Sequence, residues 1–88
     1  MANREYLEPA YSLIKKFGGP KGLWSGIKVV ADVTRSHPSR VYRWMRPKEK
    51  GGTGGLIPSD RQRALLDYAR ENKLRVKPDD FFGESRAA

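Results

Sequence analysis

Cysteine is absent from this chain and histidine occurs once, at position 37. Without thiols there is no disulfide framework and no thiolate metal site, and the composition suits a reducing cytoplasm. The lone His37 has no cysteine beside it and no carboxylate at a ligand spacing, so no metal centre or catalytic pair is expected around it. Long apolar runs are missing too. No stretch approaches the roughly 20 apolar residues of a membrane span, and the N-terminus carries no apolar signal core. These absences point to a soluble, cytoplasmic binding protein rather than an enzyme, with no cofactor, no metal and no membrane partner.

Acidic residues are the remaining scarcity. Ten Asp and Glu face eighteen Lys and Arg, a formal charge of +8 on 88 residues. The surplus is uneven: residues 1–26 carry four basic and two acidic groups, 27–50 seven and two, and 51–88 seven and six. The local balances are therefore +2, +5 and +1. A surface rich in surplus lysine would spread its charge, whereas a concentrated field is what a docking polyanion needs. The length allows one small domain, 1–88, which buries only about 60–65% of its unfolded surface and is marginally stable unless it dimerises.

Along the chain the apolar spacing is helical and no strand is legible. Ala10, Leu13, Ile14 and Phe17 recur at i, i+3, i+4 and i+7 after Pro9 and before Gly18-Gly19, which predicts a first helix with one buried stripe. From Pro20 the pattern runs through Leu23, Trp24, Ile27, Val30, Ala31 and Val33 to about Thr34, one longer or broken helix weakened by Gly22 and Gly26. Ser36-His37-Pro38-Ser39 supplies N-cap candidates and a first-turn proline, so a further helix is expected from about Pro38 to Met45, ended by Pro47. Gly51 to Gly55 follows as a flexible loop. Ser59 with Gln62 reads as a capping box for a helix whose apolar side is Ala64, Leu65, Leu66, Tyr68 and Ala69, ending at Asn72 or Lys73. In Pro78 to Phe82 two acidic residues in a first helical turn precede two aromatics that fold back on the core, so the C-terminal helices span about 59–82 and 83–88 is a frayed tail.

Residues Ile27 to Arg46 carry the strongest signal. With Ile27 as the first place of a twenty-residue helix-turn-helix, Ala31 takes the fifth, the tight helix crossing, and Val41 and Trp44 take the fifteenth and eighteenth and close the core. A second helix held this way can enter a DNA major groove. Together with Phe17-Gly18-Gly19, Val29-Val30-Ala31, Val41-Tyr42-Arg43-Trp44, Pro47-Lys48, the Gly51 to Gly55 run, Ile57-Pro58 and Asp79 to Phe82, this pattern resembles small Cro/C1-type helix-turn-helix regulators of bacteria and their phages over roughly residues 10–82. The resemblance implies a compact all-α, lambda-repressor-like domain of four to five helices, sequence-directed binding of double-stranded DNA in the nucleoid, transcription regulation, and a homodimer on a palindromic site. Two departures stand out. Arg35 occupies the tight-turn place that glycine usually holds, so the turn needs Arg35 at positive φ or has another shape. Pro20 to Gly26 is an insertion of about two helical turns ahead of the motif.

Carried over by position, the base-reading candidates are His37, Ser39, Tyr42, Arg43 and Arg46. Arg43 leads them, because its planar fork can bond guanine O6 and N7 together. Lys28, Arg35, Arg40, Lys48 and Lys50 are backbone candidates, the lysines as point charges that fix register without reading sequence. Duller roles stand beside these. His37 can cap a helix, Tyr42 can pack its ring, and Trp24 can be core or an interface anchor. The Gly51 to Gly55 run follows no strand and lacks the Gly-Lys-Ser/Thr ending of a phosphate loop, which favours a wing near the DNA backbone. Two other functions fit the same composition: an adaptor that binds a protein such as RNA polymerase through Trp24 and Phe81-Phe82, and nonspecific nucleic-acid binding driven by charge.

Overall fold

The computed structural model describes residues 6–81. Among them the chain forms four α-helices and no strand: α1 (Ala10–Gly18), α2 (Leu23–Thr34), α3 (Pro38–Arg43) and α4 (Ser59–Glu71), with single 3₁₀ turns at Gly19–Lys21, Lys48–Lys50 and Pro78–Phe81. Phe82 and the 83–88 tail lie outside the described residues. The radius of gyration, 11.9 Å, matches the roughly 12 Å expected of a folded chain of this length. No described helix is long and apolar enough to cross a membrane.

Helix α1 buries the whole stripe its spacing predicts, while α2 leaves Trp24 exposed and α4 buries only Leu65 and Ala69 of its apolar side. Ala10, Leu13, Ile14 and Phe17 of α1 are buried against Ile27, Val30 and Ala31 of α2, and Leu65 and Ala69 bring α4 into the same core. Trp44 and Val41 are buried, at 2% and 0% exposure. Met45, Ile57 and Phe81 complete the cluster. The helical pattern from Pro20 is a broken one: a 3₁₀ turn ends at Gly22 and α2 proper starts at Leu23.

Helix α2 meets the backbone of α1 at Gly26. A Cβ built there would lie 2.0 Å from the Ile14 carbonyl oxygen, so the two backbones touch and only glycine fits. The residue that looks like a weakness in the helical pattern is therefore the one that lets the helices meet.

Arg35 closes α2 in the left-handed region, at φ 57° and ψ 43°. The Ser36 amide bonds back to Ala31 and the Arg35 amide to Asp32, at 2.8 and 3.3 Å. This paired return satisfies two helix-end carbonyls and reverses the chain without glycine. Inside the turn the buried Thr34 hydroxyl donates to the Val30 carbonyl at 2.7 Å, so its burial leaves no polar atom unpaired. Lys73, at φ 58°, ends α4 in the same manner, with Leu74 bonded to Ala69.

Three expectations need correction. Helix α3 stops at Arg43 rather than Met45. Beyond it the amides of Trp44, Met45 and Arg46 bond three residues back, because the chain tightens into 3₁₀ turns before Pro47. Ser59 and Gln62 do not form a capping box: α4 starts from Pro58 without a side-chain cap, and the Gln62 amide donates instead to the Ile57 carbonyl at 3.0 Å.

The Gly51 to Gly55 run is not a free wing. Thr53 and Gly54 amides bond the Arg43 and Arg46 carbonyls at 3.1 and 2.8 Å, and the Thr53 hydroxyl lies within bonding distance of the carbonyls of Trp44 and Leu56. From the other side the Leu7 amide takes the Met45 carbonyl at 2.8 Å. Four successive carbonyls after Tyr42 thus have donors from outside α3. Gly52 allows the approach, since a Cβ there would sit 2.2 Å from the Arg46 oxygen. The loop is a clamp on the end of α3.

Candidate nucleic-acid interface

Helix α3 and its flanks present the largest share of the candidate side chains. Val41 anchors α3 in the core, which leaves Ser39, Arg40 and Arg43 on the opposite, exposed face. Three residues, Arg35 to His37, connect it to α2, so Lys28 and Arg35 stand exposed immediately before it and Lys48 and Lys50 immediately after. The sequence groups these charges only as a run. The fold displays them on α2, its left-handed end, α3 and the following 3₁₀ turn.

None of these six cations is neutralised internally. Among the described residues, no carboxylate lies within ion-pair distance of Lys28, Arg35, Arg40, Arg43, Lys48 or Lys50. Elsewhere cations do pair: Lys16 meets Asp80 at 3.5 Å, and Asp67 sits 3.8 Å from Arg63 and 4.0 Å from Arg70. Exposed pairs of that kind contribute little to stability. Lys15, Lys21, Arg61, Lys73, Arg75 and Lys77 likewise meet no carboxylate among the described residues, so what sets the α3 region apart is its charge balance, +5 over residues 27–50.

Four of the five base-reading candidates are already engaged within the chain, Ser39 through its contact with His37. His37 is the N-cap of α3, its Nδ1 accepting from the Ser39 amide at 3.1 Å with the Ser39 hydroxyl at 2.9 Å. Its first role is therefore helix capping, which supplies an acceptor to an amide that has none within the helix. Replacing His37 by alanine should cost about 1 kcal/mol. Urea melts of the two proteins check this, and an unchanged midpoint would mean the cap carries no stability.

Tyr42 and Arg46 form the second engaged group. The Arg46 guanidinium donates to the Tyr42 hydroxyl at 3.0 Å, and its carbon lies 5.4 Å from the Tyr42 ring centre. Tyr6 meets the same ring edge-on at 5.7 Å and stacks on Tyr11 at 5.5 Å, with Lys15 5.2 Å from the Tyr11 ring centre. Both Tyr42 and Arg46 are half-buried. These contacts tie Tyr42 of α3, and Arg46 beyond it, to the segment before α1. Neither Tyr6 nor Tyr11 stands out in the sequence. Their only prior signal is the local density of tyrosine, which does not say that the rings converge.

The aromatic candidates for a protein anchor separate sharply. Phe81 is 1% exposed and belongs to the core, so it cannot dock a partner without unfolding its turn; Trp24 is 66% exposed. Phe82 lies outside the described residues. Among the described residues no cluster of three or more His, Asp or Glu side chains is arranged to hold a metal. In comparisons with known proteins, no protein family, no curated protein and no solved structure matches the chain.

Proposed function

We propose that this chain binds double-stranded DNA sequence-specifically, as a transcription regulator of the small Cro/C1-type helix-turn-helix kind. The part of α2 from Ile27, the turn at Arg35 to His37, and α3 with the turns to Arg46 form the motif, and α3 enters the major groove. The observation that supports this most is the set of six exposed, internally unpaired cations gathered on and around one short helix whose opposite face is core. The left-handed Arg35 at the place usually held by glycine adds to it. On this reading Arg43 and Ser39 reach base edges, while Lys28, Arg35, Arg40, Lys48 and Lys50 hold phosphates. A six-residue helix covers few base pairs, so the reading includes a homodimer on two half-sites about 34 Å apart.

The test begins with selecting a preferred duplex from a random pool. Arg43→Ala should then weaken that duplex by about 1–3 kcal/mol and relax preference at one base pair, with random duplex bound only slightly worse. Lys50→Ala should weaken both duplexes alike and lower the salt slope by about one, because one fewer counterion is released. Isotherms at three salt concentrations, with stoichiometry read as two chains per duplex, decide between the roles. Equal losses on both duplexes for Arg43→Ala would move base reading elsewhere. Failure of the pool to enrich any sequence would leave nonspecific binding in its place.

A further inference from the structure

Trp24 is the largest exposed apolar side chain among the described residues, 66% exposed against 48% for Leu56. It stands in the first turn of α2, ahead of the motif. At about 100° per residue, Ala31 lies within roughly 20° of it on the helix and Lys28 within roughly 40°. Ala31 is only 5% exposed. The face that carries Trp24 is therefore covered two turns further along and open at its start.

The neighbours of that open position are cationic. Lys28 is exposed one turn on, Lys21 is exposed in the preceding 3₁₀ turn, and Arg35 closes the same side of α2 at its far end. No carboxylate pairs with any of the three among the described residues. A protein-binding hot spot is an aromatic ringed by further apolar contacts that exclude water. Here the exposed residues that flank the ring along the chain are Pro20 and Lys21 before it and Lys28 one turn on. A flat apolar face between two unpaired cations instead complements a nucleic-acid backbone, where deoxyribose offers an apolar surface between successive phosphates.

We propose that Trp24 is a second, sequence-independent contact to double-stranded DNA. Its indole lies against a deoxyribose of the backbone flanking the groove that α3 occupies, with Lys21 and Lys28 on adjacent phosphates. The inference rests on the DNA-binding reading above and extends the footprint past the base pairs under α3. It also gives the Pro20 to Gly26 insertion a purpose, since that segment supplies both the ring and Lys21.

The two tryptophans make the test direct. Trp44 is 2% exposed, so acrylamide quenching of the full chain reports almost wholly on Trp24. A 20-base-pair random duplex added to saturation should protect Trp24 from acrylamide. Trp24→Ala should lose about threefold to tenfold in affinity on selected and random duplex alike, the scale of one aromatic contact. Its salt slope should not change, because the indole carries no charge, and its melting temperature should equal that of the unmodified chain. Trp24→Phe should keep most of the affinity. Duplex binding with Trp24 still open to acrylamide would overturn the contact while leaving DNA binding intact. Protection by poly-glutamate without protection by duplex would assign the face to an acidic protein and overturn it too. Absence of any duplex binding by the unmodified chain would remove both proposals together.

Discussion

Replacing Trp44 by alanine should leave the chain largely unfolded at 25 °C. Trp44 is 2% exposed and lies where α3 gives way to its closing turns, in one cluster with Val41, Met45, Ile27 and Ile57. Truncating a buried aromatic of this size typically costs about 3–5 kcal/mol, because the cavity is only partly filled by relaxation. At about 0.05–0.15 kcal/mol per residue, a chain of this length has a total near 4–13 kcal/mol, and so small a core belongs at the low end. The loss is comparable to the whole. Circular dichroism and urea melting measure it. Trp24→Ala is the matched control, the same deletion at an exposed position, and should melt like the unmodified chain. A Trp44→Ala protein with an unchanged melt would mean that this side chain is not the keystone of the α3 packing described above.

Gly26→Ala should also destabilise strongly, against the trend for helices. In an exposed helix interior, glycine to alanine gains roughly 1 kcal/mol, since alanine restricts the unfolded chain and favours the helix. At Gly26 the added methyl would fall 2.0 Å from the Ile14 carbonyl oxygen and 3.2 Å from the Gly18 amide nitrogen, both backbone atoms of α1. No rotamer change can relieve a contact with backbone. The helices must separate by an ångström or more, which opens Ile14, Phe17, Ile27 and Val30 to poorer packing along the whole crossing. Overpacking of this kind costs about 1–3 kcal/mol and more where nothing can yield, so a net loss of at least about 2 kcal/mol is expected. For a domain this small, that corresponds to a fall in Tm of roughly 10 °C. A Tm equal to or above that of the unmodified chain would show that α1 and α2 do not meet at this glycine.

Both variants probe features that differ in how far the chain announces them. The burial of Trp44 and Val41 is legible from their places in the twenty-residue pattern that starts at Ile27, and the stripe of α1 from a period of 3.6 residues. The break ahead of α2 is less legible, since the sequence allows one longer or a broken helix and the structure breaks it at Gly22, and the end of α4 lies at Asn72, one of the two residues its pattern allows. Gly26 is different. As a member of the local pattern it is only a poor helix former; as a neighbour of Ile14 it is the point of contact between helices.

The candidate site divides along the same line. The positive charge between residues 27 and 50 is a property of composition, and the exposure of Ser39, Arg40 and Arg43 follows from the burial of Val41 on the other side of a single helix. The engagement of His37 was half legible, since a histidine before Pro38-Ser39 offers an acceptor at the right place for a cap. The pairing of Tyr42 with Arg46 is four residues apart on the chain, yet the turns after Arg43 and the ring of Tyr6 decide that the two face one another.

What the amino-acid order determined by itself is whatever depends on near neighbours: helix periods, the position of prolines, the left-handed option at Arg35, and the sign and location of charge. Only the tertiary structure decided which backbones approach each other. It turned the Gly51 to Gly55 run from a flexible wing into a clamp and gave the Gln62 side chain the Ile57 carbonyl instead of a capping box. The physical reason is that a buried carbonyl takes whichever donor the packing brings within about 3 Å, and that donor can come from any distance along the chain.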